Sequence, residues 1–342
     1  MTEPITAEQA DYQRMMGMVT GYWVTQIVRA AAQCRLAEHL AAGTRTPEAV
    51  AEVEGTDPDS TRRLMRTCAS LGLMTSADGH GYRGTPLLNT LHPDAPNSLH
   101  GFTLSTAGPG FWLSWGRFPD AVRTGEQQFP AAHGHPTLFD YFAAHPDEAS
   151  LFTQSMANMS QRDALKLAAV LDTRQTRHAL DVGGANGVLI RTLMRANPEL
   201  TGGVLDLPHI VPDATAAAKQ DGLSERFTAV GGDFFVEVPP SDLYLLKYIL
   251  HDWDDQQCVR ILSNCRAALE PDGRVAVIET LIEPGGTPSS TPLMDMNMLT
   301  MTGGREREIA EVDALFAAAG LRRTAVTPAG QFTVIESVPA QN

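Results

Sequence analysis

Residues 178–187 read HALDVGGANG, and residues 188–196 continue as VLIRTLMRA. The first half is an apolar run of strand character, the glycines cluster at a turn, and the apolar spacing that follows is helical. Glycines at such a turn let backbone N–H groups approach a ligand without a Cβ in the way. A dinucleotide fingerprint would need glycine at 183, 185 and 188, but the chain has Ala185 and Val188. A nucleotide-like ligand is therefore expected, with a nicotinamide or flavin enzyme disfavoured.

Downstream, strand-like runs end in residues suited to that ligand. GGVLDLP (202–208) ends near Asp206, placed to accept both hydroxyls of a ribose. FTAVGGDFF (227–235) leads to Asp233 and Phe234, an acceptor for an adenine amino group and a cover for a ring face. In DLYLLKYILHDWDD (242–255), Lys247 and His251 are four apart and would share a face of an extended strand. His251 would lie at the carboxyl end, where open α/β sheets bind ligands. RVAVIETLI (274–282) places Glu279 beside His251 if these two strands pair, and a carboxylate there would raise the basicity of the imidazole and fix its tautomer. TGGREREIAEVDALFAAAG (302–320) is expected to begin a helix at Glu306.

Upstream of about residue 165 the chain reads as helices separated by Gly-, Pro- and His-rich loops. Gly21 to Leu40 has helical apolar spacing, Thr46-Pro47 and Asp57-Pro58 each start a further helix, and Leu73-Met74, the turn SADGHG and Tyr82-Arg83 suggest a hairpin. Helix, helix, hairpin outlines a winged helix. Residues 1–100 contain eight Arg, no Lys and eleven Asp or Glu, a net charge of -3 rather than a basic footprint, so packing or dimerisation is favoured over DNA binding. Aromatic residues are frequent over 102–160, followed by Met156 and Met159, which suits the wall of a flat apolar pocket. His133, His135 and His145 are expected to be solvated loop residues, and no metal site is expected.

The 342 residues carry a net charge of -14, which disfavours broad capture of nucleic acid or an anionic membrane. Four scattered cysteines form neither a disulfide framework nor a zinc site, and Cys258 and Cys265 read as small buried residues on one helix face. The polar, acidic start shows no signal peptide, and no run approaches the ~20 apolar residues of a membrane span. A cytoplasmic location is expected.

LDVGGANG, VLDLPHI, VGGDFF, LLKYILHDWDD, NCRAALEPDGRVAVIE and GGREREIAEVDALFAAAG, in this order, resemble the S-adenosylmethionine-dependent small-molecule O-methyltransferases. That family includes the plant caffeic-acid enzymes and bacterial enzymes of antibiotic biosynthesis. The winged helix, RTGEQQF and LFTQSMANMS extend the resemblance over nearly the whole chain. It implies an α/β class I methyltransferase, a Rossmann-like seven-stranded sheet, over 166–342. It also implies a winged-helix dimerisation domain over 1–100 and a helical linker over 101–165 that contributes to the substrate pocket of a homodimer.

In the cofactor site the resemblance implies Gly183, Asp206, Asp233, Phe234, Lys247 and Ser160. It gives His251 as catalytic base with Glu279 and Glu306 in support. Phe152, Met156, Met159, Asp252, Trp253, Met298 and Thr302 would line the acceptor pocket. The implied reaction makes S-adenosylhomocysteine and a small metabolite O-methylated at a hydroxyl, expected to be phenolic.

The departures are Ala185 where the family has a third glycine, a chain about one residue shorter between Met298 and GGRE, and Met159 where plant enzymes often carry His. Ala185 is expected to cost little unless the backbone there needs a positive φ. Three rivals stand at this stage: C- or N-methylation or non-methylating chemistry with the same cofactor, a ligand-sensing winged-helix regulator, and a non-catalytic scaffold.

Overall fold

The structure is a computed structural model that describes residues 6–43, 45–77, 81–96, 98–285 and 289–341. The chain forms two compact units. One runs up to Trp112 and includes Pro146–Ser155; the other is Leu113–His145 with Met156 onward.

In the first unit, a helix spans Ala7–Gln33, started by a capping box between Thr6 and Gln9. It begins well before the expected start at Gly21, and it does not run on to Leu40. Arg35 turns left-handed at φ 50 and starts a separate short helix, Leu36–Ala41. The turn places Leu36 and Leu40 in a core with Ala31, Val50, Met65 and Cys68. Thr46 and Asp57 cap the helices Pro47–Glu54 and Pro58–Ser70, each with proline in its first turn. Strands β1 (Met74–Ala77) and β2 (Gly81–Gly84) pair antiparallel as the expected hairpin. Residues 78–80 of its turn lie outside the described residues. Tyr12, Met15, Met18, Val19, Tyr22 and Trp23 leave much of the long helix's apolar surface exposed.

The second unit is built on seven strands: β3 (His178–Val182), β4 (Thr201–Asp206), β5 (Phe227–Gly231), β6 (Ser241–Lys247), β7 (Leu269–Glu279), β8 (Leu321–Ala329) and β9 (Phe332–Pro339). Their order is β5-β4-β3-β6-β7-β9-β8. The first five are parallel, as the alternating strand and helix pattern predicts, but β9 runs antiparallel between β7 and β8, so the sheet is mixed. A hydrophobic core lies on each side. One joins Leu180, Leu246 and Val277 to the helices Asp255–Ala267 and Ile309–Ala318, with Cys258 and Cys265 fully buried in it. The other joins Ala179, Leu245 and Ile278 to the helices Val188–Ala196 and Val211–Gln220.

Strand order reverses between β3 and β6, so their carboxyl ends open a crevice at the switch point. Among the described residues, no helix is long and apolar enough to cross a membrane.

Candidate active site

The glycine turn after β3 has left-handed backbone at Gly183 (φ 68), Ala185 (φ 50) and Gly187 (φ 74). A Cβ on Gly183 would run into the Ile249 side chain, and one on Gly184 into the Asp181 carboxyl group. Ala185 has a positive φ, the condition under which alanine is expected to be costly, and a non-glycine residue pays ~1–2 kcal/mol in this region. The Ala185 N–H donates to Asp206 Oδ2 at 2.8 Å and the Leu207 N–H to Oδ1 at 2.7 Å. Two backbone donors thus fix the carboxylate at the end of β4, and each oxygen keeps a lone pair for a hydroxyl. Burial pushes the Asp206 carboxyl up, while those two N–H groups oppose the shift.

Asp233 lies two residues past β5 and its Oδ1 accepts from the Phe235 N–H at 2.8 Å. Phe234 meets Trp253 edge-on at 6.1 Å. At the end of β6, Lys247 Nζ donates to Ser160 Oγ at 3.1 Å. Burial lowers the Lys247 ammonium, with Asp181, Glu279 and Asp163 opposing.

The chain does not continue as a strand from Lys247 to His251. Tyr248 turns left-handed at φ 54, and Leu250–Asp252 form a single 3-10 turn that carries His251. Lys247 and His251 therefore do not share the face of an extended strand. Strands β6 and β7 do pair, and one side-chain nitrogen of His251 and one carboxylate oxygen each of Glu279 and Glu306 come within 4.8 Å of one another.

The two carboxylates divide the work differently from expectation. Glu279 Oε1 accepts the backbone N–H groups of Ile249 (3.2 Å) and Leu250 (3.0 Å), so it holds the turn. Glu306 Oε1 accepts from His251 Nδ1 at 2.8 Å, and since a carboxylate can only accept, Nδ1 carries the hydrogen. Glu306, not Glu279, fixes the tautomer. Glu306 also precedes its helix rather than opening it: the helix is Ile309–Ala318, capped by Glu308. Thr280 Oγ1 donates to Glu306 Oε2 at 2.8 Å, and the Glu306 N–H donates to Asp295 Oδ1 at 3.0 Å.

His251 Nε2 is 3.8 Å from Asp252 Oδ1. Burial works against charge on the imidazole, but Glu279, Asp252 and Glu306 outweigh it and push His251 up to about 9. Burial likewise pushes Glu279 up to about 7. Among the described residues this is also the one cluster of three His, Cys, Asp or Glu side chains close enough to share a cation. Both Glu306 oxygens and Glu279 Oε1 are already engaged by N–H and O–H donors.

The residues expected in the acceptor pocket are divided between the two units. Phe152 stacks on Phe111 in the first unit, whereas Met156 and Met159 belong to the second. Thr302 Oγ1 donates to the Met298 carbonyl at 3.1 Å, and Trp253 packs on Phe139, Phe234 and Phe235. The loop histidines are not free side chains: His133, His135 and His145 gather around the Tyr141 ring, His145 stacking on it at 3.9 Å.

A model of the O-methyltransferase domain matches residues 115–322, and a model of the O-methyltransferase dimerisation domain matches 16–94. The chain belongs to the O-methyltransferase family. It is 32% identical over 327 residues to a phenazine O-methyltransferase of Lysobacter antibioticus, covering 95% of each chain. Among solved structures it is similar to a mitomycin 7-O-methyltransferase, with TM-score 0.93, 32% identity and 98% and 99% of the two chains covered. It is also similar to an O-methyltransferase of neocarzinostatin biosynthesis in complex with S-adenosylmethionine and 2-hydroxy-5-methyl naphthoic acid, with TM-score 0.82, 33% identity and 92% and 96% covered.

The cofactor of this methyltransferase is S-adenosylmethionine, and the crevice suits it chemically. The glycine turn admits backbone where a Cβ would clash, Asp206 offers lone pairs to a diol, and Lys247 with Ser160 offers donors to a carboxylate.

Sequence reading missed three residues that build the methyltransferase's His251 site. Thr280 and Tyr248 carry no motif signal. Arg307 had one, a charged residue between two glutamates in GGRERE that turns out 4% exposed. Its guanidinium donates to the carbonyls of Leu250 and Trp253, both at 2.9 Å, and to Asp255, clamping the turn on both sides of His251.

Proposed function

We propose that the enzyme methylates a phenolic hydroxyl of a small aromatic or polyketide-type metabolite, with His251 as general base. The observation that supports this most is the buried His251 imidazole, hydrogen-bonded through Nδ1 to Glu306, which leaves Nε2 as its proton acceptor. Gly183, Asp206, Asp233, Phe234, Lys247 and Ser160 hold the methyl donor in this reading. When bound, S-adenosylmethionine supplies an electrophilic methyl group on a sulfonium centre.

A phenol, with pKa ≈ 10, is mostly un-ionised near neutrality. His251 Nε2 takes its proton as the oxygen becomes a nucleophile, and Glu306 and Glu279 stabilise the imidazolium that forms. Positioning contributes further, with effective molarities that reach ~10⁵ M or more in well-oriented systems. Met156, Met159, Met298, Thr302, Asp252 and Trp253 shape the acceptor pocket in this reading.

Residues 1–100 serve a homodimer in this reading, supported by the dimerisation-domain match and by the exposed apolar surface of Ala7–Gln33, while 166–342 carry the chemistry. The four free cysteines accord with a cytoplasmic enzyme.

The test is incubation of the enzyme and S-adenosylmethionine with a panel of hydroxylated naphthoates, phenazines and quinones, with the product's methyl position read by NMR. Methyl groups on phenolic oxygen are expected. Methylation only on nitrogen or carbon would overturn the assignment of His251 to an O–H proton.

A further inference from the structure

We propose that Tyr248 is the positioning residue that sets the plane of the His251 imidazole and favours its cationic form. The inference rests on the reading of His251 as base.

Tyr248 is a bulky residue held at φ 54, a conformation that persists only where its surroundings over-determine it. Its N–H still donates to the Ile278 carbonyl at 3.1 Å, so pairing with β7 is kept up to the kink. The kink accompanies a face-to-face contact: the Tyr248 and His251 rings lie 4.5 Å apart and only 5° from parallel. Phe332 backs the tyrosine edge-on at 4.7 Å.

The hydrogen bond from Nδ1 to Glu306, together with the Cβ–Cγ bond, holds one edge of the imidazole but leaves its plane free to tilt. A ring stacked on its face limits that tilt, and the constraints together fix where Nε2 points. The charged groups facing the imidazole are Glu279 from β7, Asp252 on its own turn and Glu306 from the segment before Ile309–Ala318. Glu306 holds one edge of the ring, whereas Tyr248 covers its face. An aromatic face also favours a cation lying over it, which supports the imidazolium formed when the base takes a proton. Lys247 Nζ also lies 5.0 Å from the centre of the same ring and 4.8 Å from that of Phe332.

The phenol group of Tyr248 interacts with Thr280, the donor to Glu306, so ring and hydroxyl must be separated by experiment. The variants are Tyr248→Phe, which keeps the ring, and Tyr248→Met and Tyr248→Leu, which remove it. Each is measured for kcat, for KM of S-adenosylmethionine, for S-adenosylhomocysteine affinity by calorimetry, and for the His251 ring titration by NMR.

The phenylalanine variant is expected to keep kcat within about threefold. The methionine variant should lose about 10- to 100-fold in kcat, as a misdirected base does, with cofactor KM and affinity within about twofold. Its His251 titration should move to lower pH. Wild-type kcat and titration in the methionine or leucine variant would overturn the proposal, as would an equal loss in the phenylalanine variant. Should His251→Ala keep full turnover, the base assignment fails instead, and the His251 titration in the methionine variant still tests the stack.

Discussion

His251 meets two opposing forces, burial that disfavours its charge and three carboxylates that favour it, and the carboxylates win. The free imidazole, the form that accepts a proton, is therefore the minor species below about 9. With an un-ionised phenol as acceptor, kcat/KM should climb as pH rises and level off above about 9 in a pH-rate profile. A profile flat from neutrality upward would show that His251 is not the base in the rate-determining step. Ala185 makes a second prediction at this scale. Glycine loses more entropy on folding, ~0.5–1 kcal/mol, but escapes the ~1–2 kcal/mol cost of a left-handed alanine. Ala185→Gly should thus raise Tm slightly and leave S-adenosylhomocysteine affinity intact or tighter, by thermal unfolding and calorimetry. The glycines at 183 and 187 pointed to this turn from sequence alone. The positive φ at 185 did not show, because alanine is the wrong signal for it.

The segment from Tyr248 to Asp255, which carries the proposed base, was only half legible. Its polar residues stand out against the apolar strand before them, and Asp254 caps the helix Asp255–Ala267 as its position suggests. The kink at Tyr248 was invisible, since aromatic residues rarely take positive φ and nothing local demands it. Tertiary contacts impose it: Glu279 on the N–H groups of Ile249 and Leu250, Arg307 on the carbonyls of Leu250 and Trp253. Gly304 belongs to the same device. A Cβ there would overlap the His251 carbonyl and crowd the backbone of Asp252 and Trp253. Gly304→Ala should therefore displace the turn, cost ~1–3 kcal/mol of stability in denaturant unfolding, and lower kcat more than cofactor affinity. Wild-type kcat in that variant would show that the turn tolerates a shift.

At the scale of the molecule, the alternation of strands and helices after residue 165 was enough to predict the parallel half of the sheet, while the antiparallel β9 could not be read from periodicity. Strands buried on both faces look alike in either direction. The exposed face of Ala7–Gln33 carries Tyr12, Met15, Met18, Val19, Tyr22 and Trp23, an apolar surface of the kind that marks an interaction site. For the homodimer proposed on this basis, Trp23→Glu should shift the enzyme toward monomer in light scattering, because a carboxylate buried in an apolar contact lacks a partner. An unchanged dimer would place the interface elsewhere.

The central claim is that His251 removes the acceptor's proton during methyl transfer. Single-turnover methylation of an identified phenolic acceptor at saturating S-adenosylmethionine, in the wild type and His251→Ala, tests it most directly. The account predicts a rate lower by ~10²–10⁴ in the variant, with S-adenosylhomocysteine affinity unchanged. An undiminished rate would contradict it.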